Sequence, residues 1–255
     1  MRRRGRGPGR TGDWAPSRTG HAMVERTPLL LLPGLLSDAR LWRDQVTGLA
    51  DVADARVADL TRDDDVGAMA DRALAGAPPR FALAALSMGG YVAFEILRRA
   101  PARVTRLALF ASSAAAASAD RAARRRAAMA SLRHGRFAGV TTRLLRQLVH
   151  ADRVATPLGD EVRAMAERVG AEAFLRQQTA ILGRPDSRPL LPTIAVRTLV
   201  AVGDADALTP LAESRAMFRA IPGASLHVFG RCGHLPAMEA PATTTALLRG
   251  WLAEP

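Results

Sequence analysis

Three side chains in this sequence have the types and surroundings that acyl transfer needs: a serine where an apolar run ends, and an aspartate and a histidine in later loops. The run Phe81-Ala82-Leu83-Ala84-Ala85-Leu86 is apolar throughout, stops at Ser87, and gives way at once to a helical pattern from Met88. A serine at such a strand-to-helix turn is a nucleophile elbow, with a strained backbone and a hydroxyl presented at the edge of the sheet. Small neighbours are needed, because larger side chains would collide across the turn. Gly89 supplies one two residues after the serine, and Ala85 stands two before it, where G-x-S-x-G has glycine. Taken alone, the string also describes an ordinary tight connection in which Ser87 caps the helix.

A serine nucleophile needs a base, and the base needs an orienting acid. Arg197-Thr198-Leu199-Val200-Ala201-Val202 reads as a buried strand that runs into Gly203-Asp204-Ala205-Asp206-Ala207-Leu208-Thr209-Pro210, a loop with two aspartates. Ser225-Leu226-His227-Val228-Phe229 is a shorter strand, followed by Gly230-Arg231-Cys232-Gly233-His234-Leu235-Pro236 and a helix beginning near Glu239. His234 therefore falls in a loop, whereas His227 falls mid-strand, where a ring packs on the sheet. Cys232 is close to His234 but lacks an elbow, and a lone cysteine of this kind is usually a small packed apolar residue.

Nucleophile, acid and histidine follow one another in that order, and a fourth segment, Leu29-Leu30-Leu31-Leu32-Pro33-Gly34-Leu35-Leu36-Ser37-Asp38, is an apolar strand entering a glycine turn. From about Thr27 to Leu252 the chain resembles the α/β-hydrolase superfamily, and among its members the small bacterial serine hydrolases that include carboxylesterases and enol-lactone hydrolases. The resemblance implies that Ser87 is the nucleophile, His234 the base and Asp206 the acid, since the family's acid lies three residues after the glycine that closes its strand. Asp204 is the fallback. It also implies an oxyanion hole made by the backbone N–H groups of Leu35 and Met88, with Pro33-Gly34 standing where relatives usually carry His-Gly.

The elements that must position these groups alternate strand and helix, so the expected fold class is α/β, a mostly parallel doubly wound sheet of about six strands. Strands are predicted at 28–32, 55–59, 81–86, 105–110, 198–202 and 225–229, with helices near 39–49, 66–75, 88–99, 210–220 and 240–253. The family's N-terminal antiparallel hairpin is expected to be missing or reduced. The expected division is a hydrolase core at 23–112 and 191–255, with a helical cap at 113–190 between the fourth and fifth strands. Within it, 120–134, 137–149, 159–169 and 171–182 carry apolar residues at helical spacing. Met129, Leu145, Leu148, Met165, Phe174 and Gln178 are the candidates for the substrate pocket.

At 255 residues with 48% hydrophobic residues and mean hydropathy near zero, the chain is long enough for one soluble domain with an inserted subdomain. The formal charge of +12 would suit nucleic acid, but its pattern argues otherwise. All 36 basic residues are arginine, in a chain also rich in Ala, Gly and Pro, which is the mark of GC-rich codons. Six of these arginines, against Asp13 alone, lie in residues 1–22, a segment expected to be disordered, with Met23 a possible true start. No apolar h-region follows them and no apolar run could span a bilayer, so a cytoplasmic protein with no membrane partner is expected.

The reading that follows is a serine hydrolase that cleaves a small carboxylic ester, lactone or thioester through a Ser-His-Asp triad and an acyl-enzyme. No metal or organic cofactor is expected, because the sequence has no H-E-x-x-H, no paired cysteines and no phosphate-binding glycine loop. The alternatives are a C–C bond hydrolase or lyase, or a cofactor-free perhydrolase, on the same triad. A non-catalytic ligand-binding protein is the third class.

Overall fold

The computed structural model describes residues 26–133 and 137–253. The expectations for residues 1–22, for Met23 and for an N-terminal hairpin lie outside the described residues. Six strands form one sheet: β1 Thr27–Leu32, β2 Ala53–Val57, β3 Phe81–Leu86, β4 Val104–Phe110, β5 Arg197–Gly203 and β6 Ser225–Phe229. Their order is β2-β1-β3-β4-β5-β6, and every neighbouring pair is parallel.

A parallel sheet is buried on both faces, and the alternation of side chains along each strand divides the core in two. Leu29 and Leu31 of β1, Ala82 and Ala84 of β3 and Phe110 of β4 face one cluster. It is covered by helices α1 (Arg43–Gly48) and α9 (Pro241–Ala253), the latter through Leu248 and Trp251. Leu30 and Leu32, Leu83 and Ala85, and Leu107 and Leu109 face the other, under α2 (Val66–Ala75), α3 (Met88–Arg99) and α7 (Leu211–Ala220). Each fully buried leucine on these strands contributes about 1.5–3 kcal/mol. β2 starts two residues earlier than the sequence predicts. It is an edge strand whose residues after Ala53 are all half-exposed, so its apolar pattern is faint and its start is set by the pairing of Thr27 with Ala53.

Between β4 and β5 lie three helices, α4 (Ala119–Arg133), α5 (Thr142–Leu148) and α6 (Pro157–Gly183). The helix expected from 137 begins at Thr142 because the Thr141 hydroxyl accepts from the Leu144 N–H and caps it there. The end of the helix expected over 120–134 falls at residues outside those described. Within α6 the backbone breaks at Gly170, with φ of 79°, a conformation glycine adopts without strain, and the break divides the two apolar stretches expected on either side. The insertion is fastened to the core by ion pairs: Arg168 to Asp38 at 2.8 Å, and Arg40 to Glu161. Short 3-10 turns at Ala39–Trp42, Pro101–Arg103, Ala151–Arg153 and Arg188–Thr193 and the short α8 (Pro236–Glu239) complete the helical elements of the described residues.

Candidate active site

In an open parallel sheet the crevice forms at the carboxyl ends of the strands where the chain reverses its direction of travel across the sheet, here between β1 and β3. β3 is buried along its whole length and ends at Ser87, whose φ of 54° and ψ of −113° no L residue adopts without strain. Ser87 makes no side-chain cap hydrogen bond to α3, which removes the helix-cap reading of this serine. Its backbone is held instead. Its N–H donates to Phe110 O at 2.9 Å, and its C=O accepts from the Ser112 hydroxyl at 2.9 Å.

The small residues around it have separate steric reasons. A Cβ on Gly89 would lie 2.5 Å from Leu32 O and 2.8 Å from Pro33 O, so α3 could not approach β1 with any side chain there. A Cβ on Gly90 would lie 2.1 Å from the Ser112 Oγ. Ala85, by contrast, is a fully buried part of the core that packs under α3.

His234 Nε2 lies 2.8 Å from Ser87 Oγ, and His234 Nδ1 lies 2.8 Å from Asp206 Oδ2. The Asp206 carboxylate can only accept: it takes hydrogen bonds from the Leu208 and Thr209 N–H groups at 2.9 Å each, and from the Thr209 hydroxyl at 2.7 Å. Nδ1 therefore carries the imidazole proton, and the Nε2 lone pair faces the serine. Burial pushes the Asp206 carboxyl up, but the neighbouring imidazole and the Thr209 donors outweigh it and hold it below the ordinary aspartate range. Asp204 is differently employed. Its carboxylate accepts from the N–H groups of Arg231 and Cys232 at 3.0 and 3.1 Å, which pins the loop leading to His234.

The two rival residues of the sequence stand apart from this chain of hydrogen bonds. His227 is half-buried in β6 with its ring edge-on to Phe229, centroids 4.5 Å apart. Cys232 is buried, and burial, reinforced by the Glu239 carboxylate, pushes its thiol up, away from the nucleophilic thiolate.

Neither the Leu35 nor the Met88 N–H has a hydrogen-bond partner among the described residues, and both residues line the cavity at Ser87. The turn after β1 does not rely on the conformational freedom of its glycine. Gly34 is not at positive φ, and a Cβ there would meet only ordinary contacts from 3.4 Å outward; the strained residue of the turn is Leu36, with φ of 56°. Gln177 of α6 holds it. The Gln177 Oε1 accepts from the Leu36 N–H at 3.0 Å while its Nε2 donates to Leu60 O at 3.0 Å.

A cavity of about 660 Å³ opens onto Ser87 and His234. Of the six pocket candidates, Leu148, Met165, Phe174 and Gln178 line it. Leu145 does not, being wholly buried in the core, where its δ-methyl packs against Gly159; Met129 is half-buried and is not part of the wall. Sequence patterning identifies the apolar face of a helix but not which turn of that face meets a cavity. The wall also includes four arginines, Arg121, Arg124, Arg125 and Arg184, that the sequence did not distinguish from the other arginines. Among the described residues, no group of three or more His, Cys, Asp or Glu is arranged to hold a metal ion, and no helix is long and apolar enough to cross a membrane.

Comparison with known proteins gives a consistent family likeness. Residues 2–247 match the family model described as the alpha/beta hydrolase family. A pimeloyl-(acyl-carrier protein) methyl ester esterase from Neisseria meningitidis is 28% identical over 193 residues, which is 74% of this chain and 75% of that one. A thermophilic esterase from Thermogutta terrifontis, solved with malate bound, superposes with a TM-score of 0.81 at 30% identity over 89% of both chains. The fold of an enol-lactonase from Burkholderia xenovorans LB400 is also similar, with a TM-score of 0.76 at 22% identity over 92% of this chain and 94% of that one.

Proposed function

The chain belongs to the alpha/beta hydrolase family and is a hydrolase, and we propose that it cleaves a small carboxylic ester, lactone or thioester through an acyl-enzyme on Ser87. The observation that carries this reading is the unbroken pair of 2.8 Å contacts from Ser87 through His234 to Asp206. In the proposed reaction His234 Nε2 takes the hydroxyl proton as Ser87 Oγ attacks the carbonyl carbon. Asp206 keeps the proton on Nδ1 and stabilises the imidazolium that forms.

The oxyanion of the tetrahedral intermediate is assigned to the free N–H groups of Leu35 and Met88, each of which would lower the barrier by about 3 kcal/mol. His234 then gives its proton to the leaving alkoxide or thiolate, which departs as the alcohol or thiol, and a water activated by the same imidazole hydrolyses the acyl-enzyme. Helices α4 to α6 act in this reading as a cap that bounds the acyl pocket. The volume of the cavity suits a small substrate; the relatives include both esterases and C–C bond hydrolases, and ester chemistry is preferred here because the Neisseria meningitidis esterase matches 74% of this chain whereas the curated C–C bond hydrolases match 31% and 22% of it.

The test is hydrolysis of p-nitrophenyl esters of graded chain length by the wild type and by Ser87→Ala, each purified away from host esterases. The expected result is turnover by the wild type and none by the variant. Equal turnover by both would overturn the assignment, and turnover of a C–C or peroxide substrate alone would move the reaction to another class on the same residues.

A further inference from the structure

The wall that the helical insertion gives to the cavity carries four arginines and one acid, Asp120, which is exposed and pairs with none of them among the described residues. Arg121 is already engaged, with Glu213 at 3.1 Å. Arg125 is not. Its Nη1 donates to the neutral Gln178 Oε1 at 2.7 Å, and no carboxylate is within ion-pair distance of it among the described residues. Arg184 is buried; its guanidinium lies over the Tyr91 ring, 4.2 Å from the centroid, and donates to Ile181 O and Ala115 O while its Nε has no partner.

Two guanidinium groups are thus sunk in one cavity with neutral partners only. Burial is the main influence on Arg125 and disfavours its charge; Tyr91 favours it, and the nearby Arg184 and Arg121 each disfavour it by less. A fold does not gain stability from such an arrangement; an anion entering the cavity would relieve it. Ser87, Tyr91, Arg125 and Arg184 all line the one cavity, with Arg184 over the Tyr91 ring, so the cationic patch and the nucleophile share the same space.

We propose that the substrate carries a carboxylate at the end remote from the scissile bond, bound by the planar fork of Arg125 with Arg184 behind it, so that the protein hydrolyses half-esters of dicarboxylic acids or lactones bearing a free carboxylate. This rests on the ester-hydrolase reading for its chemistry, though not for the existence of the anion site. Arginine suits the role because its donors match both oxygens of a carboxylate at once. Gln178 fixes the Arg125 fork in the cavity without neutralising it.

The experiment compares kcat/KM for monomethyl adipate, methyl hexanoate and a phosphonate-ended methyl ester of the same length, in the wild type, Arg125→Met and Arg125→Lys. The wild type should prefer monomethyl adipate to methyl hexanoate at least tenfold, Arg125→Met should cut that ratio at least tenfold, and Arg125→Lys should restore part of it. In parallel, calorimetry on Ser87→Ala should show monomethyl adipate binding at least tenfold tighter than methyl hexanoate, with the difference lost in Ser87→Ala/Arg125→Met. A preference that ignores Arg125, no preference, or a preference for the phosphonate would overturn the proposal. If the wild type cleaves none of the esters, the ester-hydrolase reading fails, and the calorimetric comparison alone decides the anion site.

Discussion

The carboxylate of Glu239 grips the peptide groups on both sides of His234. It accepts from the Gly233 N–H at 3.0 Å and from the Leu235 N–H at 3.1 Å, and it takes a third hydrogen bond, 2.7 Å, from the His150 N–H of the helical insertion. His234 itself donates its N–H to Leu148 O at 2.9 Å. The imidazole is therefore positioned by one buried acid from α8 together with the segment that leads out of α5, and the core and the insertion meet at this point.

Glu239→Gln puts an amide NH₂ where an oxygen accepted, so at least one buried backbone N–H is left facing another donor. Stability should fall by about 2–3 kcal/mol, read from urea denaturation. Turnover should fall in kcat more than in KM, because the loop holding His234 loosens while the part of the cavity wall supplied by Met165, Phe174 and Gln178 of α6 makes no hydrogen bond to Glu239.

Gly89→Ala should be worse than its single methyl suggests. The two atoms the Cβ would strike are main-chain carbonyls of Leu32 and Pro33, which cannot swing aside as a side chain would. The expected cost is about 3 kcal/mol, with turnover lost as α3 and the Met88 N–H shift. Ala85→Gly, the change toward the commoner motif, should leave turnover within a few-fold of wild type.

Ser87 stores strain that the fold would lose if glycine took its place. Ser87→Gly should be inactive yet more stable than Ser87→Ala by about 1 kcal/mol, since alanine keeps the strained Cβ at φ of 54° and glycine does not. Equal melting temperatures for the two variants would show that the elbow is not strained.

Asp206, held below the ordinary aspartate value, contributes stability that is present above that value and lost as the pH falls through its folded-state pKa. Asp206→Asn should therefore flatten the acid limb of the stability curve below about pH 4, measured by urea midpoints at a series of pH values. At neutral pH it should lower kcat on the order of 10⁴-fold through loss of the correct tautomer. Asp204→Asn should affect stability more than tautomer, since its carboxylate holds backbone N–H groups, those of Arg231 and Cys232 among them, while the imidazole is held by Asp206.

What was legible in the sequence was whatever depends on local pattern. The run from Phe81 announced both a strand and its end because that strand is buried on both faces, so its apolar signal is continuous up to Ser87. The Gly203 and Gly233 turns marked the loops from which Asp206 and His234 come. The half-exposed edge strand β2 left a weaker trace and was placed two residues late. Illegible were the residues that act by reaching far along the chain. Sequence patterning gives no reason to single out Gln177, because its role depends on Leu36 and Leu60, more than a hundred residues away. Glu239 looked like the start of a helix, and its partner His150 has no sequence relation to it. Arg125 could not be told from 35 other arginines until the structure placed it in the cavity wall with the neutral Gln178 as its partner.

The most direct test of the central claim is intact-mass analysis after treatment with a fluorophosphonate, followed by peptide mapping, on the wild type, Ser87→Ala and His234→Ala. The account predicts a single adduct on the peptide containing Ser87 in the wild type, none in Ser87→Ala, and labelling slowed by several orders of magnitude in His234→Ala. An adduct that persists in Ser87→Ala, or wild-type labelling that does not depend on His234, would contradict it.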